Sequence, residues 1–237
     1  MLNREKHQLI MGQILRDIYT DTTISPLLGF KGGTCAYFFY DLPRFSVGLD
    51  FDLLSNLSAD EQEAVLEKII AILRKYGEIK DSKVKRFTIF ILLSYGDEDH
   101  NIKIEISTRT FISDIKNYYE LKKYLGIPML AGKKEYLFSG KLSALALRTE
   151  TAMRDVYDIY YFAKNNWDID RELVELMVKN KFSKHLTACI NLVESIKDNR
   201  ILHGLGELIS EKEKTWIRQH LRKEVIFYLK NYRAIVK

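Results

Sequence analysis

The segment Asn101-Ile102-Lys103-Ile104-Glu105-Ile106-Ser107 alternates apolar and polar residues without exception. Successive strand side chains point to opposite faces, so Ile102, Ile104 and Ile106 form one face and Lys103, Glu105 and Ser107 the other. Such a strand needs neighbours that bury its apolar side and leave the polar side open. Arg86–Tyr95 reads as its hairpin partner around a turn at Gly96-Asp97-Glu98-Asp99-His100. Residues 49–54 read as a further strand and Leu27-Leu28-Gly29-Phe30 as a short one, which together predict a small mixed sheet.

Helical signals surround these strands. Leu9, Ile10, Ile14, Leu15 and Ile18 share a helical face over residues 3–20. Thr34–Tyr40 is an apolar turn or two of helix, stopped by Asp41 and Pro43. Ser58 and Glu61 form a capping box ahead of the stripe Val65, Leu66, Ile69, Ile70 and Leu73, with Gly77 expected at the C-cap. From about residue 133 the pattern is helical throughout, near 133–148, 151–164, 171–180, 184–197 and 211–235. The expected class is α+β: a small mixed sheet with flanking helices, then an all-helical C-terminal half. The boundary is expected within 110–132 and set at 120/121.

Composition excludes several classes. At 237 residues, 46% apolar and 29% charged with three prolines, the chain is globular in composition. No run approaches the ~20 apolar residues of a membrane span, and the N-terminal stretch lacks the apolar run of a signal peptide. Two distant cysteines, Cys35 and Cys189, fit neither a disulfide scaffold nor a zinc finger, and a cytoplasmic location is expected. The net charge of +5 is unevenly spread. Residues 1–120 hold 15 basic and 18 acidic side chains, and residues 121–237 hold 22 and 14. A mildly acidic half joined to a basic one suits a catalytic centre beside a polyanion surface, although an excess of this size is also ordinary surface.

Four groups of residues can carry chemistry. Asp50 and Asp52 share a strand face, and carboxylates so placed can hold Mg²⁺, which prefers oxygen ligands and substrate phosphates. Glu105 joins them if its strand is a neighbour, and paired metals held by such a set serve phosphoryl transfer; the alternative is a water-facing polar row. Gly32-Gly33-Thr34 opens a helix where backbone N–H groups can meet a phosphate, without the lysine spacing of a P-loop. Lys141 and Arg148 share one helix face, and Asp155 and Asp158 share another, with Arg154–Asp158 as an alternative surface pair. Lys214, Arg218 and Arg222 line one face of the last helix, beside a core stripe of Ile217, Leu221, Val225, Tyr228 and Tyr232. That basic face is a solvated surface or an RNA track. Tyr118, Tyr119 and Tyr124, near Lys122 and Lys123, are expected in the core rather than as base-stacking groups.

Taken in order, Gly32-Gly33-Thr34, Arg44-Phe45-Ser46, Leu49-Asp50-Phe51-Asp52, Ile102-Lys103-Ile104-Glu105, then Lys141, Arg148 and Arg154-Asp155-Val156-Tyr157-Asp158 resemble the AbiEii/AbiGii-type toxin nucleotidyltransferases of the DNA polymerase beta-like superfamily. The resemblance spans about 27–165 and continues weakly through Gly204-Leu205-Gly206. It implies a nucleotidyltransferase core and transfer of a nucleoside monophosphate from an NTP to an RNA acceptor such as tRNA, with Mg²⁺ or Mn²⁺ as cofactor and a cognate antitoxin as partner. By position, Asp50 and Glu105 are the implied metal ligands, with Asp52 a further candidate from its shared strand face. Lys31, Gly32, Gly33, Thr34, Ser46, Lys141, Arg148 and Asp155 fall on the nucleotide side, and Asp50, Lys141 and Asp158 carry catalysis.

One position departs from the family pattern. Where relatives place the first of two aspartates, this chain has Gly48. Asp52 has the right parity but stands ~13 Å further along the strand, too far to replace a ligand at ~2.1 Å from Mg²⁺. The alternative reading is therefore a catalytically degenerate relative that binds nucleic acid or protein. A metal nuclease ranks last, because Lys103 precedes Glu105 rather than following it.

Overall fold

The computed structural model describes residues 3–96, 101–109, 112–148 and 150–235. The chain divides into two compact units, one of residues 1–41 and 45–133, the other of 42–44 and 134–237.

The first unit is built on a seven-stranded mixed sheet of order β3-β4-β5-β2-β1-β7-β6. Its strands are β1 (Leu28–Lys31), β2 (Gly48–Leu53), β3 (Glu78–Lys85), β4 (Thr88–Ser94), β5 (Asn101–Ser107), β6 (Tyr119–Tyr124) and β7 (Ile127–Gly132). β2 pairs with β5, and β1 with β7, in parallel; the other ladders are antiparallel. Ile89, Ile91, Leu93, Ile102, Ile104, Ile106, Leu49 and Phe51 are each completely buried. They alternate with half-buried or exposed Thr88, Phe90, Leu92, Lys103, Glu105 and Asp50, so the sheet has one dry face and one open face. The hairpin β4–β5 is as expected, and residues 97–100 of its turn lie outside the described residues.

Helices α1 (Arg4–Thr20), α2 (Gly32–Phe39) and α3 (Ala59–Leu73) accompany the sheet. Asn3 caps α1 by accepting from the Lys6 amide, and the Ser58–Glu61 capping box starts α3 as the sequence predicts. Gly77 is not the C-cap; α3 ends at Leu73 with Arg74 as cap. Gly77 instead lets the chain press against β4, where a Cβ would lie 2.0 Å from the Ser94 carbonyl oxygen. The expected boundary at 120/121 falls inside β6, which β7 holds in the sheet, and the units divide at 133/134.

The second unit is helical: α4 (Lys134–Leu145), α5 (Met153–Lys164), α6 (Arg171–Val178), α7 (Phe182–Ser195), and α8 (Glu211–Trp216) running through a π turn (Ile217–Leu221) into α9 (Arg222–Ile235). Phe162 stacks on Trp167 at 4.0 Å, with Phe138 edge-on at 5.7 Å. The π turn shifts the buried stripe of the last helix to Ile217, Leu221, Val225 and Leu229, leaving Tyr228 and Tyr232 half-buried. No helix among the described residues is long and apolar enough to cross a membrane.

Two glycines test this packing in opposite directions. Gly77→Ala is expected to destabilise by about 1–3 kcal/mol, because backbone must move. Gly140→Ala, inside α4 with nothing within 4 Å of the added methyl, is expected to stabilise by roughly 0.5–1 kcal/mol through helix propensity. Urea unfolding of both variants checks the contrast; equal effects would contradict it.

Candidate active site

In the first unit the expected metal carboxylates separate into two environments. Asp50 of β2 stands opposite Glu105 of β5 in the parallel ladder, so both lie on the open face about one strand spacing, ~4.8 Å, apart. The Asp50 carboxylate also packs against the start of α2. A Cβ on Gly32 would lie 2.5 Å from Asp50 Oδ2, and Gly32 has φ +78, which a side chain would strain. Glu105 is half-exposed and 2.7 Å from Lys103 Nζ.

Asp52 is engaged elsewhere. Its Oδ1 lies 2.5 Å from Lys31 Nζ, and its Oδ2 accepts from the Tyr119 hydroxyl at 2.6 Å, with the carboxylate almost fully buried. Lys31, expected on the nucleotide side, thus leans on Asp52 across the β1–β2 ladder. Tyr119 and Tyr124 are packing residues, Tyr124 stacking on Phe38 at 4.8 Å.

The stretch leading into β2 is pinned from two helices. The buried Thr34 hydroxyl is hydrogen-bonded to the Gly48 carbonyl and lies 2.8 Å from Ser46 Oγ. His7 of α1 is fully buried, its Nε2 3.1 Å from the Val47 carbonyl and its Nδ1 2.7 Å from the Tyr95 hydroxyl. A carbonyl only accepts, so Nε2 carries the proton and, in the neutral ring, Nδ1 accepts from Tyr95. Thr34 and Ser46 therefore point inward, and what α2 offers a phosphate is backbone N–H; its N-cap, Lys31, makes no side-chain capping bond. At Gly48 a Cβ would sit 3.1 Å from the Lys103 carbonyl, tight but open to a small shift.

In the second unit, the expected residues of α4 and α5 meet around two buried carboxylates. Arg44 holds Asp158 in a two-pronged bond, Nε to Oδ1 at 2.5 Å and Nη2 to Oδ2 at 2.6 Å, with both side chains buried. Lys141 Nζ lies 2.5 Å from Asp155 Oδ1 and 3.0 Å from Asp158 Oδ2. Arg148, 41% exposed, places Nη1 3.0 Å from Asp155 Oδ2, yet that oxygen makes no well-aligned hydrogen bond. Asp158 is committed to Arg44 and Lys141, not to the alternative Arg154 surface pair. The role of Arg44 was not evident from sequence, since its partner is 114 residues away; its position in the Arg44-Phe45-Ser46 motif was the only signal.

Charge balance explains how Lys141 and Asp155 stay ionised. Burial works against the Lys141 ammonium, but Asp158 and Asp155 outweigh it and hold its pKa above the ordinary lysine value. Burial likewise opposes the Asp155 carboxylate, and Lys141 and Arg148 hold its pKa below the usual carboxylate value. Three cations, Arg44, Lys141 and Arg148, face two carboxylates, and the excess positive charge falls on the exposed Arg148. Cys189, 3.4 Å from His185, is no nucleophile: burial pushes its thiol up to about 12. A separate cleft of about 360 Å³, with walls including Thr151, Ser195, Lys197, Arg200 and His203, contains none of the expected site residues.

The sequence pattern of the family described as "Nucleotidyl transferase AbiEii toxin, Type IV TA system" matches residues 13–233. The chain belongs to the AbiEii family. Its fold is that of solved nucleotidyltransferase-like proteins. JHP933 from Helicobacter pylori aligns with a TM-score of 0.57 at 18% identity, over 100% of this chain and 97% of that one. An antigenic nucleotidyltransferase-like protein from Paracoccidioides brasiliensis aligns with a TM-score of 0.50 at 12% identity, over 85% and 95% of the two chains. No curated protein matches this AbiEii-family chain in sequence.

The buried cluster makes two predictions. Asp158→Asn removes the charge opposite the buried Arg44 and is expected to cost about 3–5 kcal/mol in urea unfolding; a loss below about 1 kcal/mol would contradict the assignment. The stability contributed by Asp155 is present above its unfolded pKa of about 3.9 and is lost as pH falls through its lower folded value. That contributed by Lys141 is present below about 10.4 and lost as pH rises through its higher folded value. Tm should therefore plateau between these limits, and Asp155→Asn should weaken the decline on the acid side.

Proposed function

We propose that this AbiEii-family chain transfers a nucleoside monophosphate from an NTP to an RNA acceptor, tRNA among the candidates, with a divalent cation held by Asp50 and Glu105. The observation that carries the reading is the pairing of these two carboxylates on the open sheet face, with Asp50 against the α2 N-terminus. Two adjacent carboxylates suit one Mg²⁺ whose remaining ligands are phosphate oxygens and water. Among the described residues no cluster of three or more metal-binding side chains forms; the family resemblance implies an aspartate where this chain has Gly48. Bound there, Mg²⁺ or Mn²⁺ would neutralise triphosphate charge and raise the electrophilicity of the reacting phosphorus.

The chain's own residues supply the rest. Backbone N–H groups of Gly33 and Thr34, at the positive end of α2, bind phosphate, and Lys31 adds a cation held in place by Asp52. Thr34, Ser46 and His7 act by fixing the 46–48 backbone ahead of Asp50. In the second unit Lys141 and Arg148 bind nucleotide phosphate as the cations of a cluster that Asp155 and Asp158 keep charged. The transfer joins an acceptor hydroxyl oxygen to the α-phosphorus, breaks the α–β bridge and releases pyrophosphate. The family's toxin–antitoxin assignment supports a cognate antitoxin as partner, and the buried free thiols of Cys35 and Cys189 are compatible with work in the cytoplasm.

The glycine at 48 favours one second reading, a degenerate relative that binds nucleic acid or protein without catalysis. Calorimetry of NTP binding with and without Mg²⁺ separates the two. Transfer predicts Mg²⁺-dependent binding that Asp50→Asn and Glu105→Gln abolish, and its absence in the unaltered chain favours the binding module. Gly48→Asp is expected to raise incorporation of labelled NTP into RNA by more than about tenfold. Equal incorporation by both proteins would mean that the metal site does not use position 48.

A further inference from the structure

The face that carries Asp50 and Glu105 continues beyond them. Residues opposite one another in a ladder share a face, and one row runs Asp50, Glu105, Phe90, Lys83 across β2, β5, β4 and β3. The next row runs Asp52, Ser107, Thr88, Lys85. Phe90 is thus the lateral neighbour of Glu105, ~4.8 Å away, and two strand spacings from Asp50. It is not a core residue, since Ile89 and Ile91 on either side take the dry face and Phe90 stays partly exposed.

Cations lie over the Phe90 ring on this face, and others over a second ring in the adjoining β3–β4 turn. Lys85 Nζ lies 4.2 Å and Lys83 Nζ 5.9 Å from the Phe90 ring centroid. At the β3–β4 turn, the guanidiniums of Arg86 and Arg109 lie 4.9 and 5.7 Å from the ring of Phe87, which is 46% exposed. Lys83 has a carboxylate partner, Asp81, at 2.8 Å. Lys85, Arg86 and Arg109 form no salt bridge among the described residues. One partly exposed ring and one exposed ring, each with cations over it, offer what a single nucleic-acid strand needs: a flat surface for a base and positive charge for its phosphates. A duplex keeps its base faces covered by stacking, and an acidic peptide would use the cations but leave the rings idle.

We propose that the open face of β3–β4–β5 is the platform for the acceptor strand. Phe90 stacks one base of single-stranded RNA, displacing Lys85 onto a phosphate. Arg86 and Arg109 hold further phosphates, and Phe87 offers a second ring. The strand end then lies one strand spacing from Glu105. This proposal rests on the RNA-directed transfer argued above and adds where the acceptor binds.

The test is fluorescence anisotropy of the full chain with a fluorescein-labelled 12-nucleotide single-stranded oligouridylate, over a salt series. Phe90→Ala is expected to weaken binding by about 10- to 100-fold, and Phe90→Trp to restore it. The Lys85→Gln/Arg86→Gln double variant should flatten the plot of log affinity against log salt by about 1.4, the value for two phosphate contacts to a single strand. Mg²⁺–NTP binding by calorimetry should be unchanged in all three. Unaltered RNA affinity in Phe90→Ala, a Phe90→Leu variant as good as Phe90→Trp, or tighter binding of a glutamate-rich peptide than of the RNA would each overturn the platform. If Phe90→Ala is unfolded by circular dichroism, Phe90→Leu against Phe90→Trp and the double Gln variant decide. Lost RNA binding in the variants of a chain that never binds Mg²⁺–NTP would sink the transfer reading and leave the platform standing.

Discussion

Burial of the isoleucine face sets the register on which the candidate site depends. Strand side chains have a period of two, so sliding β5 by one residue would drive Lys103 and Glu105 into the layer now filled by Ile102, Ile104 and Ile106. Each of those side chains gains on the order of 1.5–3 kcal/mol by leaving water, while an unpaired buried charge costs more than that. The same holds for β2, where Leu49 and Phe51 are dry and Asp50 is not. Asp50 and Glu105 share the open face because the apolar residues beside them fix the parity of the alignment, and the ladder sets them opposite each other. The carboxylate pair needs no direct attraction to form, and two like charges could not supply one.

Carboxylates are treated in opposite ways within the two units. In the sheet, Asp50 and Glu105 sit on a face open to solvent, where a cation from outside can reach them. In the helical unit, Asp155 and Asp158 are sealed and over-compensated by Arg44, Lys141 and Arg148. A buried ion network of this kind is weak evidence for stability in itself. It does give Lys141 and Arg148 fixed positions, and its carboxylates hold the Lys141 pKa above the ordinary lysine value.

Legibility from sequence followed the strength of local patterning. The strict alternation of 101–107 and the capping box at Ser58 translated directly, because each is decided within a few residues. β3, β6 and β7 were not evident. β3 and β6 are edge strands with mostly polar side chains on both faces, so their alternation carries little hydrophobic signal. The β6–β7 turn is a two-residue connection with both residues at positive φ, but Leu125 stands where asparagine or aspartate would announce it. The facing of Asp50 and Asp52 on one strand side was readable. Their different environments were not, because Tyr119 and Lys31 reach Asp52 from strands distant in the chain.

Arg44, with Leu42 and Pro43, belongs to the helical unit although the segments on either side of 42–44 belong to the sheet unit. It supplies the guanidinium that takes both oxygens of Asp158. A protein fragment cut at 133/134, where the chain otherwise divides cleanly, would carry Asp158 away from that partner and leave a sealed carboxylate with Lys141 alone. The helical half is therefore not a portable module. Its interior charge is completed by one residue, Arg44, in a segment borrowed from ninety positions upstream of residue 134, so inheritance or engineering of this half alone would have to replace that guanidinium first.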